Sequence, residues 1–285
     1  MNVRVRPARP ADKGHLMTFI KDVWGGHDYI PRIWDEWLKD ETGKMFVVEA
    51  DEVPVGMSRV KFLEDGSAWL EGARIHPSFR GQGLASMLGE SLIRIATDRG
   101  VKVIRLTSWS RNKTAHRAIA RIKFKESSRI SAYQPGKGAK FAPLKGVRLA
   151  GMSELSRVTR LIRKSREFRL GSGVFWDAFT AASLSPAVIE KLVGEGSVWI
   201  AGESVAIARL GGEGGETWKQ LCFLTGKGDE PLKLVRHVFG LKNRAKTTRR
   251  IIYLPQSSRL IGTLRRAGFS RLTSLILFER TAAKG

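Results

Sequence analysis

The sequence has little cysteine, and it has no long apolar run. Cys222 is the only cysteine among 285 residues, so no disulfide can form within the chain, which fits a reducing compartment. The first residues include Arg4 and Arg6 and lack the apolar core of a signal peptide. No apolar stretch approaches the roughly 20 residues that span a bilayer. These absences predict a soluble, cytoplasmic protein that makes no membrane contact.

Signatures of metal and nucleotide sites are missing as well. The five histidines are dispersed along the chain, and with a single cysteine they form no ligand cluster, so no metal site is expected. Neither G-x-G-x-x-G nor G-x-x-x-x-G-K-[ST] occurs, which argues against a dinucleotide fold and against a nucleoside triphosphate loop.

Acidic residues are scarce relative to basic ones. Lys and Arg number 50 against 27 Asp and Glu, which gives a net charge of +23. Residues 99–129 hold ten Lys or Arg and one acid, and residues 233–250 hold seven and none. Such faces are typical of phosphate contacts, but no recognition helix, zinc or aromatic RNA-binding signature accompanies them. A nucleic-acid- or ribosome-binding module is therefore an alternative function, and a general preference for basic residues is the simpler explanation.

The most informative stretch that is present is Arg80-Gly81-Gln82-Gly83-Leu84-Ala85. It follows an apolar strand-like run that ends at Ile75 and opens an amphipathic helix pattern from Leu84 to Asp98. A glycine turn at a helix N-terminus leaves backbone N–H groups unpaired beside the positive end of the helix dipole. The glycines also admit a close ligand and left-handed backbone. The stretch predicts an anion site, with a pyrophosphate as its guest.

The surrounding elements give this loop its context. Hydrophobic periodicity and turn residues predict the order β-α-α-β-β-β-loop-α-β-α-β over residues 3–133, with the first helix continuing through Trp24. A second motif runs from Asn112 through Ala115 to Phe124. The loop, R-x-x-G-x-A, and this second motif resemble the coenzyme A loop and the N-x-x-A segment of the GNAT acetyltransferase superfamily. Trp24 to Pro31 and Leu70 to Ile75 further resemble a subgroup that includes the vertebrate histidine N-acetyltransferases.

The resemblance implies an acetyl-CoA site and assigns residues to it. Backbone groups near the end of the fourth strand would hold the pantetheine and the thioester oxygen, the loop would hold the pyrophosphate, and Asn112 would lie near the pantetheine arm. The implied cofactor residues are Ala73, Arg74, Ile75, Arg80, Gly81, Gln82, Gly83, Leu84, Ala85, Ser86 and Asn112.

The acceptor must be a neutral amine, so a base is expected. Glu71 is the candidate, because it shares a strand face with Trp69 and Ala73 beside the implied opening. The alternative is a structural carboxylate paired with an arginine. Ile119 stands where the family usually has a tyrosine as general acid, which leaves His116, Tyr29, Tyr133, Ser108, Ser110 or a water as candidates.

The turn between the first two helices is expected to line the acceptor site. Asp28 would pair with a substrate ammonium, Tyr29 would stack on it, and His27 lies beside them. The alternative is a helix cap and a core aromatic.

The second half repeats the order of elements without the loop. Its corresponding stretch, residues 226–231, places Asp229 and Glu230 at a helix start, where they would repel a pyrophosphate. The predicted fold is α/β, with two GNAT-like domains that each have a mixed, mostly antiparallel sheet and helices on both faces. The predicted domains are 1–135, which binds acetyl-CoA, and 147–285, which is degenerate and without cofactor, joined by a Gly/Lys/Pro-rich linker at 136–146.

These observations predict an acetyl-CoA-dependent N-acetyltransferase that acts by direct attack in a ternary complex. The acceptor is expected to be a primary amine of an amino acid or of another small molecule. An acetyltransferase for protein N-termini or lysines is the alternative within the same chemistry.

Overall fold

The computed structural model describes residues 1–177, 179–213, 216–242 and 249–282. The chain divides into two compact units, Met1–Glu126 with Phe278–Gly285, and Ser127–Leu277. Both units contain helices and a mixed sheet, which confirms the predicted α/β class. The units differ from the predicted domains in two places, because residues 127–146 lie with the second unit and the last residues of the chain lie with the first.

Up to α4, the first unit has the predicted order of elements. Its helices and strands are β1 Val3–Pro7, α1 Asp12–Ile20, α2 Ile30–Lys39, β2 Gly43–Ala50, β3 Val53–Phe62, β4 Ala68–Ile75, α3 Leu84–Asp98, β5 Val103–Trp109 and α4 Lys113–Arg121.

In this unit's sheet, β1 to β4 are antiparallel neighbours in chain order, and β4 runs parallel to β5. Alternate residues of β2, such as Met45 and Val47, pack with apolar residues of α1 and α2, including Leu16 and Trp34. This is the period of two expected for a strand with both faces covered. Helix α3 buries residues spaced by three and four, among them Leu88 and Leu92.

Helix α1 ends earlier than the sequence pattern suggested. It was expected to continue to Trp24 but stops at Ile20. Trp24, Gly25 and Gly26 all have positive φ angles, of 54°, 66° and 84°. Left-handed backbone cannot continue a right-handed helix, so the chain turns here and brings Trp24 towards the sheet.

The second unit is built from the remaining elements. They are β6 Lys125–Pro135, β7 Arg148–Leu149, α5 Leu155–Lys164, α6 Arg166–Leu170, β8 Val174–Asp177, β9 Thr180–Ser183, α7 Pro186–Gly194, β10 Val198–Ala201, β11 Ser204–Glu213, β12 Glu216–Thr225, α8 Glu230–Gly240, β13 Arg249–Pro255, α9 Leu260–Arg266 and β14 Phe269–Thr281.

The strands of the second unit follow the order β14-β6-β13-β12-β11-β10-β7. Strand β12 runs parallel to β13, and apolar clusters cover the sheet with α8 and α9 in one and α5 and α7 in the other. In the stretch predicted as a linker, Phe141 packs its ring against Phe239 and Phe269. Its ring is therefore part of this unit's packing.

Two strands, β6 and β14, do not lie wholly in the unit that their position along the chain would suggest. Strand β6 follows α4 of the first unit, but all of it except its first residues belongs to the second unit. Strand β14 belongs mostly to the second unit, but it ends in the first unit beside β5. Ala282 donates its N–H to the carbonyl of Lys102 at 2.9 Å. The end of the chain thus completes the first unit's sheet. In the described ranges, no helix is both long and apolar enough to cross a membrane.

Candidate active site

The loop between β4 and α3 combines two left-handed glycines with the start of a helix. Gly81 and Gly83 both have φ of +82°, and nothing lies within 4 Å of a Cβ built on either of them. Helix α3 begins without a side-chain cap. In this described loop, the N–H groups of residues 81–85 donate to no protein acceptor; the first to do so is that of Ser86, to the Gly83 carbonyl. These N–H groups lie at the positive end of a 15-residue helix.

The polar side chains of the loop turn back onto their own backbone. Arg80 donates from Nε to the Ile75 carbonyl at 3.2 Å, and Gln82 donates from Nε2 to the Ser78 carbonyl at 3.4 Å. Both residues are exposed. The loop is therefore shaped by local hydrogen bonds, and its backbone donors stay accessible.

Strands β4 and β5 separate beside this loop. They pair only at Ala68 with Ile104 and at Trp69 with Arg105, although β4 continues to Ile75 and β5 to Trp109. A bulge in β4 accompanies the separation, because Gly72 and Ala73 of β4 lie opposite the single residue Ser58 of β3. Ala73, Arg74 and Ile75 thus end a strand whose edge towards β5 is open.

Gly72 produces the bulge, and the sequence pattern gave it no role. Its φ is +70°, and an added Cβ would lie 2.7 Å from the ring of Trp37. Only glycine satisfies both the backbone angle and the close contact with α2. The signal in the sequence was a glycine inside a strand pattern, which often marks a bulge.

Glu71, the predicted base, is bonded to a buried arginine. Arg59 is only 2% exposed, donates from Nη1 to Glu71 Oε1 at 2.6 Å, and also contacts Asp40. Burial alone would raise the pKa of Asp40, but hydrogen bonds from Thr42 and the charge of Arg59 hold it below 3.8. Glu71 thus has a fixed orientation at the point where the strands open, and the arginine partner that the sequence left as an alternative is present.

The turn between α1 and α2 holds the three predicted acceptor residues in different environments. His27 is exposed, whereas the Asp28 side chain is fully buried. Asp28 accepts from Arg74 Nε at 2.6 Å and from the Ile30 N–H at 3.0 Å, so it connects the start of α2 to β4. Tyr29 is half-buried. Burial raises the pKa of Tyr29, and the charges of Glu71 and Asp28 act in the same direction.

An aromatic cluster that the sequence did not single out lies next to Tyr29 and Arg74. Trp24 stacks on Trp109 with ring centroids 5.2 Å apart, and the Arg74 guanidinium lies 4.4 Å from the centroid of Trp24. Arg74 also donates from Nη1 to the Ala73 carbonyl at 2.9 Å. The structure therefore brings Glu71, Asp28, Tyr29 and Arg74 together on one side of the strand opening.

The start of α4 shows how Asn112 and the general-acid candidates are placed. Asn112 accepts the Ala115 N–H at 3.1 Å and caps the helix, while Ile119 is buried. His116 Nε2 lies 3.0 Å from the Trp109 carbonyl, and its ring packs on Phe278. Tyr133 belongs to an apolar cluster of the second unit. Ser108 and Ser110 are half-buried at the end of β5.

The corresponding place in the second unit has different chemistry. Glu230 begins α8, and its carboxylate accepts from the Ser204 hydroxyl at 3.0 Å. Strands β12 and β13 pair up to Leu221 and Ile252 and then separate, as β4 and β5 do. Beyond that point Trp176 of β8 stacks on Tyr253 of β13 with centroids 5.8 Å apart. No group of three His, Cys, Asp or Glu able to hold a metal occurs among the residues that the structure describes.

The residues of the first unit fit a bound pyrophosphate and pantetheine. The first turn of α3 contains no acidic residue, so no carboxylate competes with a phosphate for the N–H donors there. The open edge of β4 supplies further backbone groups beside them. A neutral donor set at a helix N-terminus is the chemistry that a phosphorylated thioester requires.

Comparison with known proteins agrees with this geometry. Residues 15–124 match the acetyltransferase (GNAT) family. The chain is 31% identical over 103 residues to histidine N-acetyltransferase of Oreochromis niloticus, covering 35% of this chain and 31% of that one. It is 25% identical over 130 residues to aminoglycoside N(6')-acetyltransferase type 1 of Salmonella typhimurium, covering 42% of this chain and 90% of that one.

The whole chain also resembles a solved structure in fold. A GCN5-related N-acetyltransferase from Sphaerobacter thermophilus matches with a TM-score of 0.63 at 14% identity, over 99% of this chain and 96% of that one. The chain spans about a third of the length of the histidine N-acetyltransferases it matches. Residues 15–124, which lie within the first unit, thus form an acetyltransferase domain of the GNAT family.

Proposed function

We propose that the first unit transfers the acetyl group of acetyl-CoA to a primary amine by direct attack within a ternary complex. The observation that carries this proposal is the run of unpaired N–H groups at residues 81–85, beside a strand whose edge is open. Bound acetyl-CoA would supply the acetyl group and a thiol leaving group. Residues 81–86 would hold its pyrophosphate, and backbone groups of Ala73 to Ile75 would hold the pantetheine and the thioester oxygen.

The protein's own groups would then guide the transfer. Glu71 would accept the proton of the amine that attacks the acetyl carbon, and the thiolate released when the carbon–sulfur bond breaks would take its proton from water. Arg59 fixes the Glu71 carboxylate at the opening. An N–H donor aimed at the developing oxyanion lowers the barrier by about 3 kcal/mol. A thiolate of pKa near 8.5 needs little help to leave, so the loss of the usual tyrosine at Ile119 is tolerable.

We propose a small amine as the acceptor, because the matched relatives are named for histidine and for aminoglycosides. Asp28 is engaged with Arg74, so its proposed part is to position that side of the cleft, while Tyr29 and the exposed His27 border it. An acetyltransferase for protein N-termini or lysines is the alternative within the same chemistry.

Polyanion binding is the candidate function of another class. Lys113, Arg117 and Arg121 repeat every four residues on an exposed face of α4. The second basic stretch falls partly on residues 243–248, which lie outside the described residues. Affinity for nucleic acid that falls steeply with salt, without any affinity for coenzyme A, would favour this function.

The experiment that tests the proposal places a charge in the loop. We expect Gly83→Asp to weaken coenzyme A binding about 100-fold in calorimetry, since a carboxylate there faces the pyrophosphate. Asp tolerates left-handed backbone, and the site around Gly83 is open, so the fold should be retained. Gly83→Asn, which has the same shape without the charge, should bind much more tightly than Gly83→Asp.

A matched control lies in the corresponding loop of the second unit. Gly228 also has a left-handed φ, of +60°, and open space around it. Gly228→Asp should therefore leave coenzyme A affinity unchanged. Equal affinities of wild type and Gly83→Asp would refute the proposal, and so would the absence of coenzyme A binding by the wild type.

A further inference from the structure

Two tryptophans are exposed side by side at the opening between β4 and β5. Trp24 is 45% exposed and Trp109 is 50% exposed, and their rings are stacked at an interplanar angle of 22°. Large aromatic surface left in contact with water is unfavourable, and a contiguous exposed patch of this kind commonly marks a binding site.

The pair is attached to both separated strands. Trp109 is the last residue of β5, and Trp24 contacts Arg74 of β4 through its ring. Tyr29 continues the stack, with its centroid 6.3 Å from that of Trp24. The Trp24–Trp109 pair therefore lies across the gap where β4 and β5 no longer pair, on the side of Glu71 and Tyr29.

Neighbouring groups hold the pair in place. Trp24 has a φ of 54°, a strained angle for a large side chain, and Arg74, itself bonded to Asp28, lies against its ring. His116 lies within hydrogen-bond distance of the Trp109 carbonyl. The two rings thus form a preorganised surface.

The side of this surface towards α2 and β4 carries more acidic than basic residues, whereas Trp109 itself lies in the basic stretch 99–129. Three carboxylates, of Asp28, Asp40 and Glu71, face two guanidinium groups, of Arg59 and Arg74. Residues 21–75 contain twelve Asp or Glu and seven Lys or Arg, in a chain with a net charge of +23. On the α2 and β4 side, these carboxylates therefore outnumber their guanidinium partners by one.

We propose that the Trp24–Trp109 pair binds a cationic group of the acceptor, so that the substrate is an amine with a second positive charge. This inference rests on the proposed acetyl transfer. Indole faces attract organic cations, and the carboxylates of Asp28, Asp40 and Glu71 on the β4 side complement the same charge. The attacking nitrogen has to be neutral, so the second group keeps its charge and anchors the molecule while the first reacts.

Two amines of the same shape separate charge from size. (4-Aminobutyl)trimethylammonium and 5,5-dimethylhexylamine differ only in a quaternary nitrogen that replaces a carbon. Calorimetric titration of each into the coenzyme A-loaded protein should give the cationic amine an affinity about tenfold higher. Equal affinities, or no binding of the cationic amine at millimolar concentration, would overturn the inference.

Substitutions of Trp109 test whether the preference for the quaternary amine depends on the Trp24–Trp109 pair. Trp109→Leu should abolish the preference for the quaternary amine, while Trp109→Phe, which keeps an aromatic face, should retain much of it. Thermal melting checks that each variant is folded. A preference that survives in Trp109→Leu also contradicts the inference. Coenzyme A affinity is measured separately in the same samples, so a loss of the proposed function is distinguished from a failure of this acceptor class.

Discussion

At the scale of single residues, two arginines organise the acceptor side of the first unit. Arg59 is buried and Arg74 is partly buried; Arg59 is bonded to the carboxylates of Asp40 and Glu71, and Arg74 to that of Asp28. A buried guanidinium requires such partners, because removing one leaves an uncompensated charge. The pairs fix Glu71 at the strand opening and attach the turn between α1 and α2 to β4.

We predict that Glu71→Gln slows acetyl transfer to a basic amine about 100-fold at pH 7, the effect typical of losing a positioned base. The difference from wild type should shrink as the pH rises, because the neutral fraction of an amine with pKa near 10.4 grows about tenfold per pH unit. The measurement is kcat/KM between pH 7 and 9.5.

Asp40→Asn is the matched control for that variant. It perturbs the same arginine without removing the proposed base, so it should lower the free energy of unfolding and leave the pH profile of kcat/KM unchanged. Parallel profiles for wild type and Glu71→Gln would rule out Glu71 as the base.

The residue types of the site could be predicted more easily than their partners. The loop glycines and Asn112 belong to local motifs, and a left-handed glycine or a helix cap is decided within a few positions. The bond between Asp28 and Arg74 joins residues 46 positions apart, and the stacking of Trp24 on Trp109 joins residues even more distant. Sequence alone contains no signal for such pairs, so Asp28 was assigned to the substrate.

At the scale of elements, the end of β14 completes the first unit. Glu279 accepts from Arg105 Nε at 2.8 Å, and Arg280 donates from Nη1 to the Ile122 carbonyl at 2.7 Å. Arg105 is buried and also bonds to Asp65. A strand far along the chain therefore neutralises a buried charge in the first unit.

We predict that ending the chain after Leu277 destabilises the first unit by at least about 2 kcal/mol. The reason is that Arg105 loses one carboxylate partner and β5 loses the strand segment beside it. The measurement is the melting transition that acetyl-CoA shifts upward. Arg271→Ala, an exposed position earlier in β14, should change stability by less than about 0.5 kcal/mol. An unchanged transition in the shortened chain would contradict this account.

Local elements were more predictable than their pairing. Glycine turns and alternation located the strands of the first unit, and α3 was predicted with its observed bounds. The hairpin of β8 and β9 was missed, because Asp177 to Phe179 carries no turn signature such as Asn-Gly. The exchange of places between β6 and β14 depends on which sheet edge each strand meets, a long-range choice that a strand's own residues do not specify.

At the scale of the whole molecule, the two halves repeat an order of elements but differ at the place that would bind a cofactor. Both contain a parallel pair of strands that separates after a few residues. In the first half the loop beside the opening presents N–H groups, whereas in the second half Asp229 and Glu230 stand at the start of α8. The second opening is lined by Trp176, Cys222 and Tyr253, which enclose only a small cavity.

We therefore predict that one coenzyme A binds per chain. The second half has carboxylates where the pyrophosphate would lie, and like charges at a helix N-terminus oppose binding. Isothermal titration of coenzyme A should give a stoichiometry of one. Gly83→Asp should weaken binding at that one site and should not reveal binding at a second site. Glu230→Gln removes one of the opposing charges, but it should not create a second site because the stacked rings of Trp176 and Tyr253 still occupy the opening. Two equivalents of coenzyme A bound by the wild type would show that the second half retains a working site.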